Sequence, residues 1–156
     1  MLWKYALLGG VLLLGLGGRA AFAQRPVWEA LSRVTRAQQI YYRQNRRFTA
    51  ALAPLERLAG VRLPRGYDYG IRTTSRGAYL YAIPFNRRLQ PLVSAIFLDP
   101  AASGPNRMTM VVCQALTAGR FRPADPIFRP GADPIARRGE IACGDGTVIV
   151  DGPFDL

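Results

Sequence analysis

The feature that most constrains this chain is a change of hydrophobic period near Tyr67. Upstream of it, Val27, Ala30, Leu31, Val34, Ala37 and Tyr41 recur at helical spacing. They form one apolar face of an amphipathic helix running from Pro26 to about Arg47. Pro26 suits a first helical turn, and Glu29 near the start favours the helix dipole. Arg33, Arg36, Arg43 and Arg47 fall on a stripe most of the way round the other side, with Ile40 among them. A second, shorter helix is expected from about Thr49 to Ala59, with Thr49 as N-cap and Gly60 as stop. Leu52, Leu55 and Leu58 supply its inner face.

From Tyr67 the spacing becomes that of strands. Tyr67 to Thr73 alternates, Ser75-Arg76-Gly77 is a turn, and Ala78 to Phe85 is aromatic-rich with Pro84 marking its end. Leu92 to Leu98 is nearly continuous apolar sequence, as expected of a central strand buried on both faces. Asp99 to Asn106 reads as a loop, and Met108 to Ala115 as another strand. Thr117 to Gly139 differs in kind, with four prolines and little apolar periodicity. It contains a small echo, Ala124-Asp-Pro-Ile-Phe-Arg129 and Ala132-Asp-Pro-Ile-Ala-Arg137, too short to make a repeat architecture. It reads as a long surface loop. Glu140 to Cys143 and Thr147 to Val150 flank Gly144-Asp145-Gly146, a turn signal that predicts a small terminal hairpin. Asp151 to Leu156 is expected to be loose. The sum is an α+β layout: a long N-terminal amphipathic helix packed on an antiparallel sheet of about four strands.

The N-terminus fixes a compartment. Lys4 precedes an uncharged apolar run, Ala6 to Gly18, followed by Arg19 and Ala21-Phe22-Ala23. A charged start, a short apolar middle and an A-x-A pattern make a cleavable secretory signal over residues 1–23. The run is about 13 residues, short of the roughly 20 that a spanning helix needs. A retained short anchor is the other reading. Cleavage would leave a single domain from Gln24 to Leu156, periplasmic or extracellular. In that setting the two cysteines, Cys113 and Cys143, read as a disulfide closing the C-terminal loop. Two free thiols or half a metal site are the alternatives, and the absence of histidine makes the metal reading poor.

Cleavage would remove the cations Lys4 and Arg19 and lower the formal charge from +11 to +9. Lys4 is the sole lysine, so every later basic side chain is an arginine. Arginine forks suit phosphates, carboxylates and sulfated sugars, although arginine-rich codon usage gives the same bias. The candidate anion contacts are Arg33, Arg36, Arg43, Arg46 and Arg47 from the helix. Arg120, Arg122, Arg129, Arg137 and Arg138 add to them from the loop. Tyr67, Tyr69, Tyr79, Tyr81 and Phe85, flanked by arginines, could stack on single-stranded nucleic acid. Core packing against the long helix explains the same rings.

Catalytic signals are scarce. Without histidine there is no Ser-His-Asp or Cys-His site, and no phosphate-binding glycine motif appears. The acids are scattered, several of them before Pro or Gly, where turn chemistry accounts for them. A pair of carboxylates brought together in space is the one enzymatic alternative. The expectation is a non-enzyme without cofactor or metal.

The run Arg36-Ala37-Gln38-Gln39-Ile40-Tyr41-Tyr42-Arg43-Gln44-Asn45-Arg46-Arg47-Phe48 resembles a conserved run of cyanobacterial type IV pilin-like proteins, relatives of major pilins and of type II secretion pseudopilins. Tyr67-Asp68-Tyr69-Gly70-Ile71, Val93 to Leu98, Val111-Val112-Cys113-Gln114-Ala115 and Cys143 resemble later landmarks in the same order. The resemblance spans about Val34 to Cys143 and implies a pilin-like globular head. The pilin N-terminus is missing. Gly17-Gly18 is present, but no Phe-Thr-Leu-Ile-Glu-like run follows, and the first acid is Glu29, beyond Pro26. The resemblance therefore implies the head fold and pilin or secretion components as partners, not assembly through a retained apolar helix. A basic module for an anionic polymer, such as extracellular DNA or acidic polysaccharide, is the competing expectation.

Overall fold

The computed structural model describes residues 16–100, 107–131 and 139–156. Most of the apolar leader, the second copy of the echo, and Arg137 and Arg138 lie outside the described residues. The first helix, α1, runs from Leu16 to Asn45. It therefore continues past the expected start, with Pro26 inside it. A proline there removes one ladder hydrogen bond but already holds a helical φ, so the backbone carries through. Glu29 consequently sits in mid-helix, where it pairs with Arg25 one turn earlier at 3.0 Å. Arg46 ends the helix with φ 56°, its amide donating to the Tyr42 carbonyl at 2.7 Å. The second helix, α2, spans Leu52–Ala59 and stops at Gly60 in the left-handed conformation, φ 65°. Thr49 does not cap it directly; its hydroxyl accepts from the Ala51 amide in the turn before the helix.

Five strands build the main sheet: β1 Tyr67–Thr73, β2 Gly77–Pro84, β3 Leu92–Leu98, β4 Met108–Ala115 and β7 Thr147–Asp155. They pair antiparallel in the order β1-β2-β3-β4-β7. Two short strands, β5 Ile127–Arg129 and β6 Glu140–Ala142, pair with each other instead. The expected terminal hairpin does not form. Gly146 does turn the chain, at φ 71°, but β6 turns to β5 while β7 joins the edge of β4. The reason is burial: β4 is buried along its whole length, and only a strand beyond it can satisfy its outer backbone groups. The tail is likewise part of β7, and Leu156 exchanges backbone hydrogen bonds with Met108.

Layering follows from strand alternation. One face of the sheet presents Tyr67, Leu80, Ala82, Leu92 and Val112 to Val27, Leu31, Val34 and Ala37 of α1, with Leu55 of α2 closing the side. Phe48, just after α1, fills the far end against Ala78, Ile96, Met108 and Met110. Burying side chains such as Leu31 and Ile96 completely contributes about 1.5–3 kcal/mol each. The opposite face carries Tyr79, Tyr81, Val93, Ala95, Phe97, Val111 and Cys113. It is roofed by Phe128, Ile141 and Cys143 of the C-terminal segment. The segment after Thr117 is thus a second cover over the sheet, where a surface loop was expected. The α+β class, the leading helix and the Cys113–Cys143 disulfide, with a Cα–Cα distance of 5.8 Å, are as expected.

Candidate interaction surfaces

The Arg36–Phe48 run owes its residue types to a helix that must end and turn back. Ala37 is small and buried, so α1 lies close on the sheet. Gln38 is buried and clamps the chain after the helix. Its Nε2 donates to the Thr49 carbonyl at 2.7 Å, and its Oε1 accepts from the Thr49 amide at 3.0 Å. Tyr42 and Phe48 pack with ring centroids 4.8 Å apart and planes tilted by 40°. Gln39 is also buried, but its Nε2 has no hydrogen-bond partner; the Trp28 Nε1 is alike in this.

A second constellation centres on Asp125. The Tyr81 hydroxyl donates to Asp125 Oδ1 at 2.6 Å, and Arg72 Nη2 donates to Oδ2 at 2.6 Å. Arg122 Nη2 donates to both Asp125 Oδ1, at 3.2 Å, and the Tyr81 hydroxyl, at 2.6 Å. The two guanidinium groups also lie over rings, Arg72 over Tyr79 at 4.1 Å and Arg122 over Tyr81 at 4.3 Å. Partial burial pushes the Asp125 carboxyl up, but the Tyr81 and Arg122 hydrogen bonds and the two cations outweigh it and hold it below the usual range. Burial, and then donation to Asp125, push the Tyr81 hydroxyl up. The cluster fastens the C-terminal cover to the sheet. Gly144, beside the disulfide, lies so close under this segment that a Cβ would stand 2.5 Å from the Asp125 carbonyl.

A third network was invisible at the sequence level. Gln24 is fully buried, and its Nε2 donates to the Gln90 carbonyl at 2.9 Å and to the Tyr67 hydroxyl at 3.3 Å. Gln114 Nε2 donates in turn to Gln24 Oε1 at 2.9 Å and Gln90 Oε1 at 3.2 Å. Burial raises the Tyr67 pKa, with the Gln24 bond opposing it.

The tyrosines divide between the two faces. Tyr67 and Tyr69 pack toward α1 as expected. Tyr79 and Tyr81 point to the other face, under the C-terminal cover, and not against the helix. With both faces roofed, these four rings form no open stacking platform, and Phe85 alone of the five is exposed. The arginines divide too. Arg33, Arg36, Arg43, Arg46 and Arg47 are exposed on or just after α1, and Arg36 lies 5.5 Å over the Phe154 ring. Arg122 and Arg129 are exposed on the opposite cover, and Arg120 lies over Phe85 at 5.1 Å. The sheet separates the two sets, so they form no single groove. Among the described residues, no three His, Cys, Asp or Glu side chains group as metal ligands would. Among them, too, no helix is long and apolar enough to cross a membrane.

In comparison with known proteins, the family model for type IV pilin-like G and H proteins matches residues 27–144. No curated protein and no solved structure matches significantly. The matched span runs from the first core residue of α1 to the glycine after the second cysteine, and so takes in both covers of the sheet.

Proposed function

Because this chain belongs to the type IV pilin-like G and H family, we propose that it is an exported, non-enzymatic head domain with a structural or docking role toward pili or a secretion assembly. The observation that carries this is the extent of the match: it covers β1 to β4, both covers of the sheet and the cysteine pair, leaving only β7 beyond it. The export reading draws on the A-x-A pattern at residues 21–23 and on the position of Gln24. The first residue after that cut is already locked into the core by its amide network. The outer surface of the C-terminal segment, with exposed Ile127, is the partner-facing side.

Intact mass of the protein from its own producer, with and without reductant, tests the first half. A start at Gln24 with one disulfide is expected, and a retained leader refutes the cleavage. Cross-linking in the producer tests the second half: recovery with pilin-type or secretion-type subunits is expected. Absence from both sheared surface fibres and envelope assemblies refutes the structural role.

The exposed arginines support a second reading, an anionic polymer such as extracellular DNA or acidic polysaccharide bound along Arg33, Arg36 and Arg43 or along Arg120, Arg122 and Arg129. Such binding weakens steeply with salt. Retention on DNA or heparin no better than that of an unrelated protein of equal charge refutes it.

A further inference from the structure

We propose that the end of the sheet from which the upstream chain emerges is a docking surface for an anionic lipid bilayer. The antiparallel order brings the start of β1, the end of β2, the β2–β3 turn, the end of β4 and the start of β7 to one end of the molecule. Gln24 is bonded at that same end, to Tyr67, Gln90 and Gln114. α1 therefore leaves the body there, and its first eight residues reach about 12 Å beyond it at 1.5 Å per residue. The last residues of the apolar run Ala6 to Gly18, from Leu16 on, open α1 at this end.

The surface there combines exposed apolar side chains with cations. Phe85, Leu116 and Phe121 are 55%, 61% and 41% exposed. The Gly119 amide donates to the Leu89 carbonyl at 3.0 Å, holding the Leu116–Phe121 stretch against the β2–β3 turn. Arg87, Arg88 and Arg120 stand exposed beside these side chains, Arg120 over the Phe85 ring. Apolar groups rimmed by arginines match the two terms of interfacial membrane binding: apolar insertion at the headgroup boundary and attraction to anionic lipid. The stripe on α1 lacks the first term, since Ile40 is its one large apolar side chain in the open. The leader strengthens attachment before any cleavage, and the rim holds the head at the same orientation with or without it. The inference stands apart from the partner reading and does not need polymerisation.

The test uses full protein from its producer, its N-terminus first read by mass, with phosphatidylcholine vesicles with and without phosphatidylglycerol. Partitioning should be stronger on the anionic vesicles and should fall at high salt. The triple variant Arg87→Gln, Arg88→Gln, Arg120→Gln keeps the leader unchanged. It should lose about fivefold per arginine, on the order of a hundredfold in all, on anionic vesicles only. Hydrogen exchange of the unmodified protein, which needs no variant to fold, should slow at residues 85–90 and 116–121 when anionic vesicles are added. An unchanged triple variant overturns the proposal, as does protection that appears on the α1 stripe or nowhere on the head.

Discussion

Gln38→Ala tests the claim that a single amide closes the turn between α1 and α2. The side chain makes two hydrogen bonds, at 2.7 and 3.0 Å, to both backbone groups of one residue, Thr49. Each is worth about 0.5–1.5 kcal/mol net, and a backbone group left dry costs about 1–3 kcal/mol. Thr49 is only half-buried, so water replaces part of what is lost. The expected destabilisation is therefore about 2–3 kcal/mol, below the sum of two full penalties. For a chain of this size that lowers Tm by about 5–10 °C. Thermal unfolding followed by circular dichroism reads the size, and hydrogen exchange at residues 46–52 reads the place. Gln38→Met separates the causes, because it keeps the buried stem and removes the amide. If Gln38→Met is as stable as the unmodified protein, packing and not the clamp holds the turn, and the reasoning fails.

Other outcomes follow from the same geometry. Gln39→Leu removes a buried donor that has no partner and should be neutral or stabilising by about 1 kcal/mol; a loss of more than that would show that the amide is used. Replacing both cysteines by alanine opens a loop with a sequence separation of 30 and should cost about 3–4 kcal/mol on the chain-entropy model, read by denaturant midpoint. Asp125 has a lowered pKa, so its contribution is complete above the ordinary carboxylate value of about 3.9 and is lost as pH falls through the folded value. Below that point Arg72 and Arg122 face each other without their counter-charge. Exchange at residues 117–129 should therefore rise in acid before the rest of the protein unfolds, and Asp125→Asn should show the fast exchange already at neutral pH.

The sequence was most readable where period or composition carries the signal. The α1 face from Val27 to Ala37 is buried as the spacing predicts, and β3, an almost unbroken apolar run, is covered on both sides. Gly60 stops α2 because a left-handed residue is needed there. What could not be read depends on partners far along the chain. Gly144-Asp145-Gly146 signals a turn but not which strand lies beside β7. Tyr79 and Tyr81 alternate correctly, yet alternation cannot say which face of the sheet meets the helix. Asp125 looked like turn chemistry before Pro126, and its partner Arg72 lies 53 residues away. The ten candidate arginines were named for charge alone. Eight of them stand exposed on two sides of the sheet, and two lie outside the described residues.

The amide network around Gln24 also sets an order of events. Gln24 meets Gln90 across 66 residues and Gln114 across 90, and β4 lacks its outer neighbour until β7 is in place. Gln24 cannot be seated before the chain as far as Gln114 is present. Contacts of such separation form late, because the loops they close carry a large entropy cost. A chain threaded outward start first would pass its opening helix through long before that helix has anywhere to rest. The sheet is thus completed only when the last strand arrives.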